Sequence, residues 1–268
     1  MNNMISDKIK EIVKQRENSL GKDNEYLKEM NGELKRDRRK PLSESIKNNQ
    51  GISIISEIKP ASPTLGNIRR DIDVKSVAKD MESSGVIGLS VLTEPNYFCG
   101  SFENLKIAVS NTKLPCLMKD FVIDPVQFKI AQNIGATNIL IINSICNLEN
   151  QYSLAIKHGL EPLIEIHDIE ELHDIQHLFD IGHNPKLIGV NNRNLKTMNI
   201  DIKISKQIIP RLKEEFGEKL IIVSESGINT IEDIKFIQPS GADAFLIGSS
   251  IMQSNNIKSK ILELRGLK

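Results

Sequence analysis

The sequence predicts a (β/α)8 barrel with an N-terminal helical extension, residues 1–268 forming a single domain and residues 1–50 its extension. Three observations predict it. The length of 268 residues is close to the roughly 250 typical of one such barrel. From residue 52 onward, short runs rich in Ile, Val and Leu alternate with longer amphipathic or polar stretches of helical length, the pattern of repeated βαβ units. The strand-like runs number eight, which in this length favours closure over the alternative of an open doubly wound sheet.

The extension comes first. Ile5, Ile9, Ile12 and Val13 fall on one helical stripe, and a second short helix is expected near 41–48. Together they are expected to cap the barrel bottom or to form a flap beside its mouth. The basic run Lys35–Lys40 contains Asp37 and no aromatic residue, so it reads as a solvated surface and not as a nucleic-acid arm. The eight strands are expected at 52–57, 87–92, 116–119, 137–143, 161–166, 187–191, 220–225 and 244–247. Several are continuously apolar, as parallel strands covered on both faces should be. Between the first two, 73–84 reads as a helix with Val74, Val77, Ala78 and Met81 on one face. Asp124 and Pro125 supply an N-cap and first residue for a later helix that ends near Gly135.

Composition excludes several classes of function. The chain is 39% hydrophobic and 26% charged, ordinary values for a globular protein. Lys plus Arg and Asp plus Glu number 35 each, so no global field draws it to nucleic acid or to an anionic membrane, and any anion site must be local. The first twenty residues hold Asp7, Lys8, Lys10, Glu11, Lys14, Arg16 and Glu17, which leaves no apolar core for a signal peptide. No segment approaches the ~20 apolar residues of a membrane span. Cys99, Cys116 and Cys146 are scattered and odd in number, so neither a disulfide framework nor a thiolate metal site is indicated, and a cytoplasmic protein is expected. His173 and His177 share a helical face, but Asp174, Ile175 and Gln176 stand between them instead of a zincin Glu-x-x, and a solvated face is expected. There is no Walker A run and no Gly-x-Gly-x-x-Gly, hence no nucleotide cofactor.

Active sites of such barrels lie at the C-terminal ends of the strands, so polar residues that end an apolar strand are the candidates. Glu57 and Lys59 end the first run, Lys119 and Asp120 the third, Glu165 the fifth, Asn191, Asn192 and Arg193 the sixth, and Ser224, Glu225 and Ser226 the seventh. Side chains alternate along a strand, so Glu57 and Lys59 share a face. One such residue alone reads as a charge meeting solvent. Glu57, Lys59, Lys119, Glu165 and Arg193 together, with charges summing to +1, would hold a carboxylate while keeping an acid and a base ready. Ser226-Gly227 and Gly248-Ser249-Ser250 follow the seventh and eighth strands, where glycine-bearing loops and a short helix at 249–253 offer backbone NH groups to a phosphate. The first loop, with Pro60 and Pro63, is long enough to close over a substrate. Tyr97, Phe98 and Phe121 stand at the same end, as stacking partners for an aromatic substrate or as core.

The run Glu57-Ile58-Lys59-Pro60-Ala61-Ser62-Pro63 resembles the Glu-x-Lys-x-x-Ser-Pro signature of the indole-3-glycerol-phosphate synthase family. The resemblance continues through residues 97–101, Lys119-Asp120-Phe121, Glu165, residues 189–193, residues 224–228 and residues 246–250, in family order from about 52 to 252. It implies conversion of 1-(2-carboxyphenylamino)-1-deoxyribulose 5-phosphate to indole-3-glycerol phosphate in tryptophan biosynthesis, without a cofactor or metal. It further implies Lys119 as general acid in ring closure, with Glu57, Lys59 and Glu165 completing the catalytic set. Asn191, Arg193 and Glu225 would shape the pocket, Asn191 and Glu225 in direct contact with substrate; Phe98, Phe121 and Leu246 complete its lining. Phosphate would lie against Ser62, Ser226, Gly227, Gly248 and Ser249. Asn194 stands where Asp often follows Asn-x-Arg, and Thr64 where a second loop serine is common.

Two competing readings remain. A phosphoribosylanthranilate isomerase would share the phosphate site but requires a catalytic Cys and Asp. A ligand-binding pseudoenzyme would keep the cradle and lose the chemistry, yet both lysines and both glutamates are present. The expected partner is a small phosphorylated substrate, and a monomer is expected, with a homodimer as the alternative. Spacing does not divide the proton transfers among Lys59, Glu57 and Glu165.

Overall fold

The computed structural model describes residues 5–20, 39–69 and 71–267. Eight parallel strands close into a barrel: β1 Ile54–Ile58, β2 Gly88–Leu92, β3 Cys116–Lys119, β4 Asn138–Ile142, β5 Glu161–Ile166, β6 Leu187–Asn191, β7 Ile221–Glu225 and β8 Ala244–Ile247. Closure is made by β1, which pairs with β2 through Glu57 and Ser90 and with β8 through Ile55 and Leu246. The expected strand positions agree to within two residues at every boundary.

Alternation along each strand separates two apolar layers. Outward residues such as Ile54, Leu89, Met118, Ile164, Ile188, Ile222 and Phe245 pack beneath the helices. Inward residues such as Ile55, Leu117, Leu140, Leu163, Leu187, Val223 and Leu246 fill the lumen. One helical example shows why the connections form. The helix Pro125–Ile134 starts on Asp124, whose side chain caps Val126 N while Gln127 reaches back to the cap, and it stops at Gly135. The helix expected at 73–84 occupies Val74–Ser83, capped by Asp73.

The extension serves both ends of the barrel. Its first helix, α1 (Asp7–Ser19), lies across the mouth: Ile9 and Ile12 join the lumen cluster and Ser6 N donates to Leu195 O at 2.8 Å. Arg16 on the same helix is buried and clamps Asp120, at the end of β3, through Nε and Nη2 at 3.0 and 2.7 Å. The second helix, α2 (Leu42–Lys47), closes the bottom. There Leu42 N donates to Asn138 Oδ1 and Ser43 N to Glu161 Oε2, both acceptors at the starting ends of their strands. Of the basic run Lys35–Lys40, residues 35–38 lie outside the described residues; Arg39 donates to Val109 O, and exposed Lys40 pairs with Glu44.

None of the described helices is long and apolar enough to cross a membrane.

Candidate active site

Odd-numbered positions of β1, β3, β5, β6 and β7 face the lumen, so Glu57, Lys119, Glu165, Asn191 and Glu225 converge near its top, with Lys59 two residues beyond Glu57 on the same side. Lys119 is the centre. Its Nζ is 2.6 Å from Glu225 Oε2, 3.5 Å from Glu57 Oε1 and 3.8 Å from Glu165 Oε2. Glu57 turns its other oxygen to Lys59 Nζ at 2.5 Å. All three carboxylates are almost fully buried.

Each charge state follows from these neighbours. Burial opposes the Lys119 ammonium, but Glu225, Glu57 and Glu165 outweigh it and raise its pKa far above the lysine range. Burial likewise opposes the Glu57 carboxylate, and Lys59 and Lys119 bring its pKa below the ordinary value. Glu165 meets the same burial, offset by His167 and Lys119, which bring it down to about 2. Glu225 goes the other way. Burial and the neighbouring carboxylates exceed the help from Lys119 and push it up to about 7. One of its oxygens, Oε1, is buried without a hydrogen-bond partner among the described residues, a position that a protonated carboxyl tolerates better than a carboxylate.

Two glycines leave room for this crowding. A Cβ on Gly189 of β6 would collide with the Glu225 carboxylate, and one on Gly248, after β8, would collide with that of Glu57. Any side chain there would displace an acid.

Above the cluster opens a pocket, and the expected residues come together in it. Glu57, Lys59, Ser62, Phe98, Lys119, Phe121, Glu165, Asn191, Arg193, Ser226, Gly227, Leu246, Gly248 and Ser249 all line it. Glu225 is the exception. It is fully buried, is not among the lining residues, and accepts a hydrogen bond from Lys119 Nζ at 2.6 Å. None of the three cysteines lines the pocket.

The walls differ in chemistry. One is apolar, with Phe98 and Phe121 at 6.4 Å between ring centroids, and Ile9, Ile12, Leu140 and Ile142 beside them. Tyr97 is elsewhere: its hydroxyl donates to Glu11 and Lys8 lies over its ring, so it ties α1 to the barrel. The opposite wall is built from loops. Ser226 and Gly227 both take positive φ, 68° and 79°, a tight turn that glycine adopts freely and serine rarely. Gly248 precedes the short helix Ser249–Gln253, and Ser62 comes from a two-stranded ribbon, Ala61–Ser62 with Gly66–Asn67, inside the first loop. Arg193 donates to Met198 O at 3.0 Å, and burial lowers its pKa against the pull of Glu165 and Glu57. Asn194 accepts from Lys196 N and Thr197 N, a turn-closing task an asparagine oxygen performs as an aspartate would.

Sequence reasoning missed two residues. Glu94, after β2, lines the pocket while accepting from the backbone NH of Asn96, Tyr97 and Phe98, and so sets the loop that carries Phe98. His167 stands two positions after Glu165 and therefore on the same face; its Nε2 lies 3.0 Å from Glu165 Oε1. The spacing that paired Glu57 with Lys59 would have found it. His173 and His177 are exposed on the outer helix Leu172–Asp180.

Comparison with known proteins adds the following. The family model for indole-3-glycerol phosphate synthase matches residues 1–264. A protein named indole-3-glycerol phosphate synthase from Koribacter versatilis is 40% identical over 219 residues, 81% of each chain. One of the same name from Staphylococcus haemolyticus is 38% identical over 264 residues, 96% of each chain. Among solved structures, thiamine phosphate pyrophosphorylase from Pyrococcus furiosus superimposes with a TM-score of 0.58 at 15% identity, covering 84% of this chain and 96% of that one, a likeness of fold alone.

Proposed function

The chain belongs to the indole-3-glycerol phosphate synthase family, and on that premise we propose that its pocket converts 1-(2-carboxyphenylamino)-1-deoxyribulose 5-phosphate into indole-3-glycerol phosphate, carbon dioxide and water. This makes it a carbon–carbon carboxy-lyase of tryptophan biosynthesis. The observation that carries the reading is one ammonium, Lys119, within 3.8 Å of three buried carboxylates, between an apolar wall and a wall of loop amides.

The substrate's ends suit the two walls. Its phosphate meets the NH groups around Ser226-Gly227 and Gly248-Ser249, with Ser62 completing the cradle. Its phenyl ring lies along Phe98 and Phe121, and its carboxylate is drawn to Lys59. Ring closure needs the ketone carbon made electrophilic. Lys119, charged at any working pH, donates a hydrogen bond to the ketone oxygen and gives up its proton as that oxygen becomes an alkoxide. The aromatic carbon bearing the carboxylate attacks, and loss of carbon dioxide restores the ring. Dehydration then needs an acid for the departing hydroxyl and a base for the adjacent carbon. Lys59 and Glu57, in contact with each other, supply both, while ionised Glu165 stabilises the cationic intermediate. Glu225 keeps Lys119 in place from below.

Product formation is read directly by indole fluorescence on adding the substrate to purified protein without added metal. The protein contains no Trp, so the protein background is low. Absence of an indole product overturns the function. Turnover of the dephosphorylated substrate at unchanged kcat/KM overturns the phosphate cradle.

A further inference from the structure

We propose that His167 is a positioning residue for this reaction: clamped as an imidazolium between Glu165 and Glu171, it keeps the Glu165 carboxylate ionised and turns its free oxygen toward the pocket. The inference rests on the proposed function for its catalytic half and on geometry for its electrostatic half.

His167 follows β5 on the lumen side, and its side chain is 7% exposed. Nε2 is 3.0 Å from Glu165 Oε1, an ion-pair contact outside in-line hydrogen-bond geometry, and Nδ1 is 3.8 Å from Glu171 Oε2. The far carboxylate is itself fixed. Glu171 Oε2 accepts from the backbone NH of His167 and Asp168 at 2.5 and 3.1 Å, and Oε1 accepts from Asn143 Nδ2, which also donates to Asp174. A ring held between two anions, one anchored by its own backbone, has little freedom to turn away.

Glu165 divides its oxygens accordingly. Oε1 faces the imidazole, while Oε2 makes no hydrogen bond among the described residues and lies 3.8 Å from Lys119 on the pocket side, with Asn191 and Arg193 also acting on the carboxylate. A carboxylate this deep would take up a proton unless a cation stood against it. The charged groups facing the ring are Glu165 from β5, Glu171 from the short turn Ile169–Glu171, Asp174 behind Asn143, and Asp168 and Lys196 beside a small cavity on the ring's outer side. Negative charges dominate. Burial works against the imidazolium, yet these contacts raise its pKa to about 9.

The test has two arms. Ring NMR of the five histidines, with the His167 signal identified by its loss in His167→Asn, should give a midpoint well above the ordinary ~6.5, falling in Glu171→Gln. In kinetics, His167→Asn should lower kcat by about tenfold with KM within about twofold, and the acid limb of kcat should move up by at least about one pH unit as Glu165 loses the nearer of its cations and keeps Lys119. A midpoint at or below 6.5, or an Asn variant with unchanged kcat and acid limb, overturns the proposal. Should His167→Asn fail to fold, the signals of the other four histidines are identified by their loss in single His→Asn variants, the remaining one is His167, and its wild-type midpoint and fall in Glu171→Gln still decide. A high midpoint in a wild-type protein that makes no indole product removes the catalytic half and leaves the charge clamp standing.

Discussion

Replacing Lys119 with Met removes the one cation shared by Glu57, Glu165 and Glu225 while keeping a side chain of similar length. Removing one partner of a buried ion pair costs about 3–5 kcal/mol when the other stays charged. Here part of that penalty is relieved. Glu225 already sits at about 7, and without Lys119 it takes a proton at neutral pH, so a loss nearer 2–3 kcal/mol is expected at pH 7.5. In the wild type, Glu57 and Glu165 have depressed pKa values, so their stabilisation is present above the ordinary carboxylate range and is lost as pH falls. That wild-type contribution is complete from pH 5 to pH 8; in the variant the buried carboxylates, left without Lys119, have raised pKa values and are relieved by protonation as pH falls, so the stability difference narrows from pH 8 down to pH 5. Turnover should drop by about a hundredfold or more, as for loss of a general acid. Urea unfolding followed by circular dichroism at both pH values, beside the indole fluorescence assay, measures both effects. Activity within tenfold of wild type, or an equal destabilisation at pH 5 and pH 8, would refute the reasoning.

Three further perturbations probe separate parts of the structure. Arg16→Met strands buried Asp120 with only the Thr93 hydroxyl, which donates to it at 2.6 Å; urea unfolding should show a loss of about 3–5 kcal/mol, and α1 should become open to limited proteolysis. Gly189→Ala places a methyl group on the Glu225 carboxylate and should cost about 1–3 kcal/mol together with a fall in kcat, because Glu225 can no longer hold Lys119; unchanged kinetics would show that Glu225 does not act through that contact. In alkaline solution, His167 has a folded pKa of about 9 against an ordinary 6.5, a raised value whose stabilisation is complete below 6.5 and lost as pH rises through 9. At 1.36 kcal/mol per pH unit that is at most about 3 kcal/mol, read as the unfolding free energy at pH 6 minus that at pH 9.5, and the slope should flatten in His167→Asn.

The barrel was legible because parallel strands covered on both faces are dominated by apolar residues and turn polar mainly where they end, which set 116–119, 161–166, 187–191 and 244–247 apart. The extension was not. A stripe of Ile9 and Ile12 says that a helix has a buried face but not which end of the barrel receives it, and the answer differs for α1 and α2 because only the long-range contacts of Arg16 and Ser43 distinguish mouth from floor. In the pocket, the polar ends of the apolar strands were enough to gather Glu57, Lys119, Glu165 and Asn191, and period-two alternation added Lys59 to the face of Glu57. Depth was beyond it. Glu225 pairs across the sheet with Asn191 and Leu246, yet it lies under the floor while those two line the surface.

That difference in depth changes the electrostatic account. The strand ends read from sequence sum to +1, and adding an ionised Glu225 would cancel it. Burial decides otherwise: with its pKa near 7, Glu225 is the acid that most readily stays protonated at neutral pH. His167 and Glu171 enter as opposite charges and leave the sum alone. Counting Glu94, which also lines the pocket, the formal charges sum to zero while Glu225 is protonated and to −1 once it ionises, so this one group decides whether Lys59, Lys119 and Arg193 are fully offset as they face a substrate that carries a phosphate at one end and a carboxylate at the other. A Glu225→Gln variant, which holds this position neutral at every pH, should bind inorganic phosphate with an affinity that no longer weakens between pH 6 and pH 8 through this group, whereas the wild type loses affinity as Glu225 ionises. Equal pH dependence in the two proteins, after allowing for the ionisation of phosphate itself, would mean that the pocket's charge is set elsewhere.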